Sequence, residues 1–209
     1  MSEIVDINLW LTFTAASVVL ALIPGPVVSM VIAQSLSHGF RTGLRGIVGV
    51  VCGNTILFAI GGLGMAWVLA LLADWFDVVR WAGAAYLVYL GARQWFAKPD
   101  SIDDQLSHVP SRKAVFWQGF LVAITNPKTI VFYAAFFPQF MDPALPSGGQ
   151  LVVLSVTFLL VVNGIDLMYA ALAGRLRPLL TGEKRGRIRN RITGVLLMGT
   201  GIAMALARR

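Results

Sequence analysis

Apolar residues in this chain come in long unbroken runs, not in the alternating or one-faced patterns of soluble elements. From Ile7 to Phe40 there is no Asp, Glu, Lys or Arg, and from Gly46 to Ala73 there is again none. A helix that crosses a bilayer needs about 20 such residues. The pattern predicts six spans: roughly Asn8–Ser35, Gly46–Ala73, Val78–Phe96, Ala114–Phe140, Gln150–Gly174 and a shorter Ile192–Ala207. Two longer polar connections, Lys98–Lys113 and Arg175–Arg191, read as solvated loops. The expected fold is therefore all-α, a polytopic membrane protein forming a single transmembrane domain over residues 1–209.

Two of these spans are interrupted in the middle. Span one contains Pro24-Gly25-Pro26, and span four contains Asn126-Pro127-Lys128. Proline removes a backbone donor and clashes with the preceding turn. In lipid a freed carbonyl finds no water, so such breaks survive only where protein or a wet cavity satisfies the backbone. Three spans per half is an odd number, so two related halves, about 1–97 and 112–209, are expected to lie as inverted repeats. The breaks occupy corresponding positions, and the following span of each half carries an amide, Asn54 in one and Asn163 in the other. Paired breaks of this kind mark a midplane transport site, where half-helix ends meet charged groups of a substrate. A simple kink is the competing reading of each proline taken alone. Pro24, Gly25, Pro26, Asn54, Asn126, Pro127, Lys128 and Asn163 are the expected substrate-binding set.

Two ionisable residues lie deep in spans, Lys128 and Asp166, with opposite signs. A charge at a helix centre costs roughly 2.5–3.5 kcal/mol on insertion scales and is functional by default. Asp166 is the candidate for proton coupling; a buried structural Lys128–Asp166 pair is the alternative.

Composition sharpens the picture. Apolar types make up 57% and charged types 13% of the 209 residues, against about 25% charged in soluble domains. The net charge of +7 is not a nucleic-acid signal, because seven of the seventeen Lys and Arg residues fall between Arg175 and Arg191. Thirteen of the seventeen lie on one side of the six-span layout, and the positive-inside rule makes that side cytoplasmic. Both termini then face the periplasm. Trp10, Trp67, Trp75 and Trp81 fall near the outer ends and Trp95 and Trp117 near the inner ends, an interfacial belt. The first span lacks a basic leader and a small-x-small cleavage site, and reads as retained. The one cysteine, Cys52, reads as a packing residue. His38 reads as a loop residue beside Gly39. No metal cluster, phosphate loop or catalytic constellation occurs, so neither a cofactor nor an enzyme is expected. Gly39, Gly43, Gly46, Gly49 and Gly53 recur in steps of three and four, which lets helix backbones approach closely.

Four blocks taken together carry a resemblance. They are Pro24-Gly25-Pro26, then "SHGFRTGLRGIVGVVCGN" (Ser37–Asn54), "RWAGAAYLVYLGARQW" (Arg80–Trp95) and "TNPKTIVFYAAFFPQF" (Thr125–Phe140). In this order the chain resembles the LysE/RhtB family of amino-acid exporters, most of all its homoserine/threonine branch. The resemblance implies a bacterial inner-membrane secondary transporter that exports homoserine, homoserine lactone, threonine or a similar neutral amino acid, driven by protons. The double-proline break, the Asn126-Pro127-Lys128 motif and the glycine run match the family pattern. The acid does not: family members often carry it about a turn earlier, where this chain has Val162-Asn163. Asp166 is either its displaced equivalent or an independent feature. Lys128 or a half-helix N-terminus would meet the substrate carboxylate, and Asp166 or backbone carbonyls its ammonium. A small-solute or ion channel of the same build is the alternative. The expected partners are the amino acid, protons and the lipid bilayer, and a chain of this size is a candidate for homodimerisation.

Overall fold

A computed structural model of the chain describes residues 4–63, 81, 84–96, 111–133, 137–180 and 183–206. Among these residues the ordered elements are all helical. In chain order they are α1 (Ile7–Leu22), α2 (Pro26–His38), α3 (Phe40–Leu63), α4 (84–95), α5 (Arg112–Ile124), α6 (Pro127–Val131), α7 (Ser147–Leu176) and α8 (Glu183–Leu206), with single 3₁₀ turns at Phe137–Phe140 and Arg177–Leu180.

Local chemistry sets the boundaries. Asp6 opens α1 by accepting from the Asn8 and Leu9 amides at 2.8 and 3.0 Å, the usual N-cap arrangement. α1 stops at the double proline, and α2 leaves at 53° to it, with Pro26 pre-set for a helical first position. Gly39 alone separates α2 from α3. It has φ +88°, a left-handed conformation that favours glycine. Arg41 and Arg45 thus lie in the first turns of α3, and not in a loop as the charge pattern suggests. His38 is the last residue of α2, not a loop residue. Ser111 caps α5 through Ala114 N at 3.1 Å. Pro127 ends its continuation, and α6 restarts the span. Gln150, buried, staples the turn before α7: it accepts from Asp142 N at 2.7 Å and donates to the Asp142 and Leu145 carbonyls. α8 begins at Glu183, so half of the segment read as the basic loop is helical. Lys and Arg are good helix formers, and the stretch needs only to reach water. Residues 97–110, with the other polar loop, and Trp67 and Trp75 lie outside the described residues.

The helices belong in a bilayer. Phe40–Gly61 and Ser147–Leu179 are each long and apolar enough to cross a membrane, and α1 with α2 qualifies as one bent span. Only 17% of the apolar window in α7 is buried within the protein. Its outward face carries Val152, Val156, Leu160 and Leu172, a surface that water would penalise and lipid does not.

Glycines bring the helices together. A methyl group on Gly49 would strike Phe116 O, and one on Gly119 would strike Gly46 O, so α3 and α5 touch backbone to backbone. Gly53 meets Phe120 O in the same way, at 2.9 Å. Gly46 meets Gly119, Gly53 meets Ala123, and Tyr133 beyond α5 reaches Phe58 O, so α3 and α5 are parallel. α4 and α8 pair in the opposite sense: Gly91 faces Gly194 O, and Gly201 faces Ala84 O. At one end of the bundle Arg177 donates to Ser37 O at 3.3 Å and Gly174 meets Phe40. This end collects Arg41, Arg45, Arg112, Lys113, Arg175 and Arg177. Arg191 stacks over Trp95 at 5.5 Å.

Two clusters fill the interior. An aliphatic one joins Val27, Met30, Val31, Ile47, Val50, Leu87, Val122 and Leu197. An aromatic one joins Phe13, Phe58, Phe132, Tyr133, Phe137 and Phe158, with Phe13 edge-on to Phe137 at 5.2 Å. The aliphatic cluster lies toward the basic end and the aromatic cluster toward the other.

The glycine contacts predict a stability order. Gly49→Ala or Gly119→Ala should destabilise the detergent-solubilised protein by about 1–3 kcal/mol, because neither opposing backbone can move aside cheaply. Gly199→Ala, whose methyl meets nothing within 4 Å, should instead be neutral or stabilising by up to roughly 1 kcal/mol. Melting temperatures of the three variants check this order.

Candidate functional site at the two helix breaks

The two breaks face one another. Pro24 has no N–H for Leu20 O, and Pro26 has none for Leu22 O, so the break strips α1 of two backbone partners. The side chains of other helices replace them. Lys128 Nζ, from α6, donates to Leu20 O at 3.0 Å and to Ile23 O at 2.7 Å. Tyr169 Oη, from α7, donates to Leu22 O at 3.0 Å. A cation at a helix C-terminus also meets the negative end of the helix dipole. Lys128 is therefore a cap on α1, reaching across 108 residues of sequence.

Asn126 is equally committed. Its Oδ1 accepts from Lys128 N at 3.1 Å, and its Nδ2 donates to Thr129 Oγ1 at 3.0 Å. It caps the five-residue α6 and holds the restarted span in place.

Between the breaks lies a small, partly open cavity. Its walls include Leu20, Ala21 and Gly25 at the first break, Val27 and Val28 of α2, Asn54 of α3, Asn126, Lys128 and Thr129 at the second break, and Phe158, Val162 and Asp166 of α7. Its volume is about 10 Å³, about what one water requires. Phe158 belongs to the aromatic cluster and closes one side. Val27 belongs to the aliphatic cluster and closes the other.

Within this space some polar groups are spent and others are not. Asn54 and Asp166 are each 1% exposed. Asn54 Oδ1 and Asp166 Oδ2 are buried and accept no hydrogen bond from protein. Lys128 interacts electrostatically with Asp166, but its hydrogen bonds run to the carbonyls. No side chain caps the N-terminus of α2, so the free N–H groups of its first turn belong to residues that line the cavity.

Of the residues singled out in the sequence, Gly25, Asn54, Asn126, Lys128 and Asp166 come together here. Pro26 is the first residue of α2, and Pro24 is exposed at the bend; both shape the break rather than line it. Pro127 opens α6. Asn163 does not reach the cavity. Phe158, Val162 and Asp166 follow a four-residue step along one face of α7, and Asn163 is rotated off that face. Its Nδ2 returns to Leu159 O at 2.7 Å. The sequence reading missed Tyr169 and Phe158. Tyr169 lies three residues after Asp166, about one turn on, the one signal that pointed to it.

Comparison with known proteins agrees with this architecture. The family described as "LysE type translocator" matches residues 18–208. A homoserine/homoserine lactone efflux protein of Salmonella typhimurium is 35% identical over 199 residues, 95% of this chain and 97% of that protein. An uncharacterized membrane protein of Vibrio cholerae is 34% identical over 203 residues, covering 97% and 99%. A leucine efflux protein of Salmonella choleraesuis is 30% identical over 202 residues, covering 95% of each. No solved structure matches. The chain belongs to the LysE-type translocator family: it is a membrane transporter of an efflux family and not an enzyme.

The capping contacts predict two losses of stability. Tyr169→Phe removes one hydroxyl and strands Leu22 O, at a cost of about 1–3 kcal/mol. Lys128→Met strands Ile23 O and leaves Leu20 O with the Ile23 amide alone, and should lower the melting temperature further. A Lys128→Met protein that melts like wild type would remove the cap from the account.

Proposed function

We propose that this LysE-type translocator exports small neutral amino acids and their derivatives across the cytoplasmic membrane in exchange for protons. The observation that carries the reading is the convergence of two proline breaks on one buried cavity that holds Lys128 and Asp166. A helix break within a bilayer is tolerated where it serves a cavity, and two of them facing each other form a transport site.

Relatives support the substrate class. Those compared are named for homoserine, homoserine lactone and leucine, all with uncharged side chains. Homoserine and its lactone share an α-amino group, but only one has a free carboxylate. An acid such as Asp166 suits the shared group. Asp166 also serves as the proton carrier, since its Oδ2 is buried without a hydrogen-bond partner and a buried carboxylate short of partners is costly. Pro24 and Pro26 contribute by freeing backbone at the break. Gly25 lies against Lys128, and Asn126 with Pro127 sets the second wall.

The halves 1–97 and 112–209, read as inverted repeats, supply the motion. A cavity of about 10 Å³ is far below the roughly 300–1,000 Å³ of ligand pockets, so this arrangement must widen to one face at a time. The basic end faces the cytoplasm, with both termini on the periplasmic side. So small a cavity favours a carrier over the channel reading, because a channel offers a continuous path.

Cells expressing the protein and preloaded with labelled homoserine, threonine, leucine or lysine test this. Efflux of the neutral substrates should exceed that of lysine and collapse with an uncoupler. Asp166→Asn should reduce uncoupler-sensitive efflux to background. Efflux that persists with an uncoupler would remove the coupling, and a linear, unsaturable flux would favour a channel.

A further inference from the structure

The cavity contains two buried acceptors without a hydrogen-bond partner, while its donor side chains are already engaged elsewhere. Lys128 is held by Leu20 O and Ile23 O. The Asn126 amide is held by Thr129. Against these, Asn54 Oδ1 and Asp166 Oδ2 are unpartnered in the same cavity. Buried acceptors without donors cost about 1–3 kcal/mol each, more when charged. A native protein keeps such a cost where a ligand or a water removes it.

We propose that the ligand is read by its ammonium group, which Asp166 and Asn54 hold together, while Lys128 stays on the helix break and does not bind the carboxylate. This rests on the transporter reading above and fixes the polarity of its site. An ammonium has three N–H donors: one meets Asp166, one meets Asn54, and the third remains for a water or a substrate group. The carboxylate, where the substrate has one, lies toward the uncapped N-terminus of α2 at Gly25–Val28, where helix N–H groups and the dipole favour an anion.

The same arrangement makes coupling one-for-one. Among the residues that line the cavity from α1, α2, α3, α6 and α7, the titratable ones are Lys128 and Asp166. With no substrate bound, a proton occupies the Asp166 carboxyl. When the cationic ammonium binds, the O–H bond breaks, the proton leaves to water on the open side, and the carboxylate pairs with the ammonium. At the other face the steps reverse. Substrate and proton compete for one carboxylate, so neither crosses with the other.

The experiment uses the full-length protein in proteoliposomes and measures counterflow of labelled homoserine against unlabelled competitors. Homoserine lactone keeps the ammonium and lacks a free carboxylate. 4-Hydroxybutyrate keeps the carboxylate and lacks the ammonium. The lactone should compete within a few-fold of homoserine, and 4-hydroxybutyrate should be at least about tenfold weaker, the worth of a hydrogen bond to a charged group. Lowering pH on both sides should raise the half-saturation concentration without lowering the maximal exchange rate. Asn54→Leu should raise half-saturation for homoserine about tenfold, and Asn54→Asp should restore it in part. Should Asn54→Leu not fold, the competitor series on the wild-type protein still decides. If 4-hydroxybutyrate competes as well as the lactone, the ammonium assignment falls while the exporter reading stands. If neither homoserine nor leucine shows counterflow, the exporter reading falls and this inference with it.

Discussion

The structure depends on satisfying backbone carbonyls that proline has freed inside a membrane. Pro24 and Pro26 open α1 where no water can repair it. Lys128 and Tyr169 repair it from other parts of the chain, through contacts of 2.7 to 3.0 Å. Each repair ties a different helix to the same break. α6 is fixed through Lys128, and α7 through Tyr169. The break is thus the point at which the first span, the fourth span and the fifth are registered against each other. A cavity is the geometric result, since a bent helix leaves space that straight helices would fill.

This arrangement explains why a costly charge stays in the bilayer. Lys128 offsets its own burial by neutralising the C-terminal end of α1, where two carbonyls point at it. Asp166 Oδ2 accepts no hydrogen bond within the protein, and its compensation is the electrostatic attraction of Lys128. The asymmetry between the two charges lies in their hydrogen bonds. A structural ion pair would have committed both groups to each other. Here the hydrogen bonds of the cation run to the scaffold, and Asp166 Oδ2 accepts none. Phe158 and Val27, which join the site to the aromatic and aliphatic clusters, mean that opening either side must disturb a packed core. Packed cores move between discrete arrangements, which suits a carrier that alternates between faces.

Much of this was legible in the sequence. Charge-free runs gave the second and fifth spans and the bent first one, and proline placement gave both breaks, because each effect is local and large. The glycine run from Gly39 to Gly53 correctly implied close backbone approach, though its partner, α5, was not readable. What was not legible was long-range. The hydrogen bonds of Lys128 run 105 and 108 residues back along the chain, and no spacing rule reaches that far. Asn163 looked like a counterpart of Asn54 by position in its half, but helical phase turned it off the cavity face. Phase errors of this kind are invisible when a whole span is apolar, since periodicity then carries no signal. The extent of α8 was hidden for a related reason: basic residues near a membrane read as loop, yet Lys and Arg extend a helix into water readily.

The most direct test is a proton measurement on the purified, full-length protein in weakly buffered detergent near neutral pH. Adding homoserine should release protons in proportion to the substrate bound, and Asp166→Asn should abolish the release. Saturable homoserine binding with no proton release from the wild-type protein would contradict the account, because substrate and proton would then not share the Asp166 carboxylate.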